Sequence, residues 1–167
     1  MRIAFLAPFP LNDLQCFMID ADTAVRNMDF FLSPLVQYFR ESGHEITIIS
    51  LSNQITRGVC SHGTGIIVHV IPLLKSGRVR AALDFGVEIR RIKKILEESQ
   101  CDIIHVHWSY ESAKAALEYN KKKTIVTLHD WPYEIEKHLN NFYWRKRLEI
   151  SKSVLKEGEF FTAVSVY

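Results

Sequence analysis

TIVTLHDWP (124–132) begins as a buried strand and changes character within three residues. Val126 and Leu128 suit a core, but His129, Asp130, Trp131 and Pro132 follow without a gap. A proline has no N–H to give to a sheet ladder, so the strand stops there. It stops on an imidazole, a carboxylate and an indole, a combination that chemistry uses more than packing does.

Five further short apolar runs surround this one: RIAFLAP (2–8), EITIISL (45–51), IIVHVIPL (66–73), DIIHVHW (102–108) and FFTAVSV (160–166). Most are apolar at consecutive positions, as in strands covered on both faces. Helical patterns lie between them. Phe85, Ile89, Ile92 and Leu96 recur at helical spacing, with Arg90, Lys93, Lys94 and Glu97 on the other side. Ser109 is placed to cap a helix ending near Asn120, and a third helix fits 141–158 with Gly158 as its stop. Alternating strand and helix patterns predict an α/β fold: an open parallel sheet of about six strands with helices on both faces, in one domain over 1–167. The first connection, FPLNDLQCFMIDADTAVRN (9–27), is a long loop of the kind that carries function.

An open parallel sheet binds ligands beyond the carboxyl ends of its strands, where the strand order reverses. For the order 3-2-1-4-5-6, one crevice receives APFPLN (7–12), HVHWSY (105–110) and LHDWPYE (128–134). The candidate residues are therefore His129, Asp130, Trp131, His107, Trp108, Ser109 and Pro10. His105 and His107 share one face of their strand. His105 reads as a core histidine; His107 stands between pocket and structure.

Composition narrows the function. The chain is 47% hydrophobic and its net charge is +2, too small for a nucleic-acid footprint. Cys16, Cys60 and Cys101 form no Cys-x-x-Cys pair, which argues against a disulfide framework and for a reducing, cytoplasmic setting. MRIAFLAPFP lacks the pattern of a cleaved leader, and no apolar stretch is long enough to span a membrane. GVCSHGTG (58–65) has Thr64 where a phosphate loop needs lysine and reads as a turn. His105, His107, His129 and Asp130 offer zinc-type ligands, but no metal is expected. Asp20 and Asp22 in FMIDADT follow one strand only and read as loop residues. Arg145, Lys152 and Lys156, with Glu149 between them, read as a solvated helix face; peripheral contact with an anionic membrane surface is the second reading.

Taken in order, MRIAFLAPFP (1–10), LVQYFRESGHEITIIS (35–50), CDIIHVHWS (101–109) and TIVTLHDWP (124–132) resemble the N-terminal, acceptor-side domain of retaining glycosyltransferases with two Rossmann-like domains (the GT-B type, family 4-like). The resemblance implies a nucleotide-sugar donor, a sugar or lipid-linked acceptor, and a Rossmann-like sheet forming half of the enzyme. His129 would face the donor sugar, and His107, Trp108 and Ser109 would line the acceptor side. Where the family commonly has a Gly-Gly pair, this sequence has Arg26 and Asn27, and Arg26 offers a guanidinium for phosphate or acceptor. AVSVY falls where the family's interdomain linker would begin, so the donor-binding half is expected outside this sequence, in cis or on a separate subunit. This chain alone is then expected to be inactive. The rival reading is a complete, non-catalytic acceptor-binding polypeptide that docks on such a subunit.

Overall fold

The computed structural model describes residues 1–9 and 31–164. Pro10, Arg26 and Asn27, the long loop and its Asp-x-Asp lie outside the described residues.

Seven strands form one sheet among the described residues: β1 (Arg2–Leu6), β2 (Glu45–Ser52), β3 (Val59–Gly63), β4 (Ile66–Pro72), β5 (Ile103–His107), β6 (Thr124–Leu128) and β7 (Phe160–Ala163). Their order is β3-β4-β2-β1-β5-β6-β7, parallel everywhere except at β3. The sheet is thus Rossmann-like, and the expected order is present with one strand added at its edge. That strand corrects the reading of GVCSHGTG as a turn. Val59, Ser61 and Gly63 are half-buried while Cys60 and His62 are exposed, so an edge strand with one weak apolar face pairs antiparallel with β4. The turn itself is confined to Thr64 and Gly65, where Gly65 takes φ +70°.

Strand periodicity divides the core in two. Ile3 and Phe5 face a layer with Leu32, Val36 and Ile48; Ala4 and Leu6 face another with Ile92, Leu96, Ala113, Val126 and Val154. The first layer is covered by α1 (Ser33–Glu41). The second is covered by α3 (Gly86–Ser99), α4 (Glu111–Asn120) and α6 (Phe142–Glu157). Two short helices escaped the sequence pattern: α2 (Gly77–Ala82), capped by Ser76, and α5 (Pro132–Leu139). The helix over 142–157 is present as expected, with Asn141 as its side-chain cap. Ser109 is not a cap. Tyr110 holds that position without a side-chain bond, and the Ser109 hydroxyl pairs with Ser151 Oγ at 2.7 Å between α4 and α6.

Candidate functional site

β5 and β6 lie side by side with His107 opposite Thr127, so His129, two residues further along β6, falls on the same face as His105 and His107. The three imidazoles form a column. His105 and His107 have ring centroids 4.4 Å apart, and His107 and His129 are 5.0 Å apart. At its base, His105 Nε2 is 2.7 Å from Thr127 Oγ1, which in turn lies 2.6 Å from Thr162 Oγ1. His105 is therefore a satisfied core histidine, as expected. At the top, His107 Nδ1 and His129 Nε2 share a hydrogen bond of 2.7 Å.

Trp108 closes the column. Its indole stacks on His129 at 4.3 Å and 26°, and Phe31 meets both rings edge-on. This placement requires a left-handed backbone at Trp108, φ +67°, held by its N–H donating to Thr127 O at 2.9 Å. A bulky residue in that region is strained by roughly 1–3 kcal/mol, and such strain gathers at working sites.

The end of β6 distributes its residues to different neighbours. Asp130 does not orient His129; its Oδ2 accepts from Tyr110 OH at 3.0 Å. Trp131 is 55% exposed and stacks on Tyr133. Pro132 opens α5, where the missing N–H costs nothing. Ser109 is 1% exposed and turned toward Ser151, away from the rim.

Behind Tyr110 lies a charged network that sequence reading missed. Arg80 donates from Nε to Glu88 at 2.7 Å, from Nη2 to Glu111 at 2.9 Å and from Nη1 to Tyr143 OH at 3.3 Å. Arg147 pairs with Glu111 at 3.3 Å and lies flat on Tyr110, 3.7 Å from its ring centre. Arg80, Tyr110, Glu111, Tyr143 and Arg147 line a cavity of about 180 Å³ with Pro8, His107 and Trp108. It opens at the ends of β1 and β5, the switch point of the sheet. Two guanidiniums here face three carboxylates (Glu88, Glu111 and Asp130), so neither is a spare anion holder.

Electrostatics follow from burial. His107 is pushed down to about 3 by burial, then by the charges His105 and His129 would carry. Burial also lowers His105 and His129, the latter against the pull of Asp130. Asp130 is raised by burial, with Tyr110, Arg147 and His129 opposing, and Tyr110 is raised by burial and the Asp130 charge. Among the described residues, the buried polar side-chain atoms lacking a hydrogen-bond partner are His107 Nε2, Asp130 Oδ1, Glu111 Oε2, Glu88 Oε2 and Arg147 Nε. All five belong to these two clusters. Native interiors rarely leave such groups unpaired, so their concentration makes these two clusters the candidate site. No group of three His, Cys, Asp or Glu among the described residues is placed to hold a metal ion. No described helix is long and apolar enough to cross a membrane.

Comparison with curated proteins finds no match. The family model of Glycosyltransferase Family 4, however, matches residues 32–167, which include β2 to β7, His107, Trp108 and the β6 ending. The chain therefore belongs to Glycosyltransferase Family 4.

Proposed function

We propose that this domain is the acceptor-side half of a two-domain, retaining glycosyltransferase that moves a sugar from a nucleotide-sugar donor to an acceptor hydroxyl. The observation that carries the reading is the state of His129 at the switch point. One ring nitrogen is held by His107 and one ring face by Trp108, while Nδ1 has no protein partner among the described residues. A side chain so constrained is prepared to meet charge that develops beside it, the arrangement that stabilises a transition state without reorganisation. The adjoining cavity, with Tyr110, Glu111 and Arg147 in its wall, receives the acceptor, and exposed Trp131, stacked on Tyr133, offers its other ring face to it.

The donor is gripped by a second Rossmann-like domain, in cis or on a separate subunit, and no metal is required. An acceptor carried on a lipid would bring the domain to a membrane surface, where Arg145, Lys152 and Lys156 are exposed on α6. The test is to offer a panel of nucleotide sugars and simple glycoside acceptors to the enzyme together with its donor-binding domain, and to read the product by NMR. Transfer with the donor's anomeric configuration kept supports the reading. Inverted product refutes retention, and no transfer with any donor refutes the assignment of the cleft.

A further inference from the structure

We infer that His107 is a positioning residue that fixes the tautomer of His129, so that His129 meets its substrate through an Nδ1–H donor. This rests on the reading of His129 as the sugar-facing group, and it replaces the expectation that His107 itself contacts the acceptor.

The argument turns on one shared hydrogen. His107 Nδ1 and His129 Nε2 are 2.7 Å apart, so one of them donates and the other accepts. Both rings are uncharged near neutrality, since burial lowers the pKa of each. Two arrangements remain. If His129 Nε2 carries the hydrogen, His107 must carry its own on Nε2, which is buried and has no partner. If His107 Nδ1 carries it, His107 Nε2 is a bare lone pair in that same place. A buried N–H without an acceptor is the costlier and rarer defect, so the second arrangement wins. His129 then has a bare Nε2 facing His107 and its hydrogen on Nδ1.

A free histidine side chain favours the opposite tautomer, with the hydrogen on Nε2. His107 therefore reverses the ordinary preference of His129 and turns its outward nitrogen from acceptor to donor. A donor is what a sugar oxygen or a departing phosphate oxygen needs as negative charge gathers on it. Other groups around the pair leave the arrangement intact. His105 lies beneath on β5 with Nε2 engaged by Thr127, and Asp130, just past the end of β6, is engaged by Tyr110, with Arg147 behind. Trp108 stacks on His129, and His105 packs against His107 with ring centroids 4.4 Å apart and planes tilted by 37°, so each ring of the pair has a neighbour that restrains its rotation.

The experiment is long-range proton–nitrogen NMR of the chain with ¹⁵N-labelled histidine near neutral pH. The expected spectrum shows His107 and His129 both with protonated Nδ1 and bare Nε2. A protonated Nε2 on His129 overturns the inference, with no variant needed. His107→Phe keeps the ring and removes the donor, and His129 should then revert to mainly Nε2–H. His107→Asn places an amide N–H near the lost Nδ1–H and should restore the Nδ1–H form. An unchanged His129 tautomer in the Phe variant also overturns the inference. In the enzyme with its donor-binding domain, His107→Phe should lower kcat by ~10-fold or more, with Asn recovering part of it. If the tautomers are as expected but His129→Ala leaves turnover intact, the reading of His129 fails instead.

Discussion

Replacing Arg80 with methionine removes the positive charge that holds two carboxylates in the interior. The Arg80 side chain is 9% exposed, and its partners Glu88 and Glu111 are 1% and 7% exposed. Methionine keeps most of the side-chain length, so the cavity contribution is small. What remains is uncompensated charge. Glu88 loses the one ion-pair partner it has among the described residues, whereas Glu111 keeps Arg147 at 3.3 Å. Leaving one member of a buried pair behind costs about 3–5 kcal/mol, and the retained Arg147 places this case at ~3–4. In a domain of this size that lowers Tm by roughly 6–16 °C.

Urea unfolding followed by circular dichroism measures the loss directly. A second variant makes the cause visible. Arg80→Met combined with Glu88→Gln removes the stranded charge and should recover about half of the loss, because absent pairs cost far less than broken ones. A loss below ~1 kcal/mol for Arg80→Met would mean that the pair behaves as an exposed one. A double variant as unstable as the sum of the two singles would refute the coupling.

Further outcomes follow from the same geometry. His129→Ala in the enzyme with its donor-binding domain should lower turnover by ~10²-fold or more; an unchanged rate would reduce the imidazole to a structural role. Tyr110→Phe strips Asp130 of its one bond among the described residues and should cost about 1–3 kcal/mol. The Asp130 carboxyl, raised by burial and held back first by Tyr110, should then titrate higher still by carbon NMR. The pH dependence of stability should carry the mark of His107. Its folded pKa of about 3 lies below the unfolded ~6.5, so between these values the unfolded chain binds more protons. Its contribution is complete above ~6.5 and is lost as pH falls toward 3, with the downward shifts of His105 and His129 acting in the same sense. Urea midpoints at pH ~4 to ~7 should flatten in His107→Phe, and an unchanged slope would contradict the burial of a neutral ring.

The parallel sheet was legible because its runs are apolar on both faces, and the switch-point crevice followed from strand order alone. His129, His107 and Trp108 were found by position at strand ends. Their mutual geometry was not, because a left-handed Trp108 leaves no trace in composition. β3 was hidden because Cys60, Ser61 and His62 carry little apolar signal, and an edge strand needs only one weak face. The charged network had a trace that went unread. Glu88 stands three residues after Phe85 and four before Ile92, inside the apolar stripe of α3, and Arg147 stands four before buried Ser151 on α6. A charge at a stripe position predicts a buried partner on another element. Finding that Arg80 is the partner required the tertiary fold, since it lies eight residues from Glu88 and belongs to a short helix with no pattern of its own.

The ending His129-Asp130-Trp131-Pro132 makes sense once each side chain is followed to its neighbour. His129 turns back to β5, Asp130 turns to Tyr110 at the start of α4, and Pro132 launches α5. A strand that must hand residues to both layers and then become a helix cannot pair any further, and proline enforces the stop. The consequence is geometric. Asp130 joins the histidine column to the arginine network through Tyr110, whose ring bears the Arg147 guanidinium. The histidine column and the arginine network therefore meet at two adjacent residues, His129 held by His107 and Asp130 held by Tyr110.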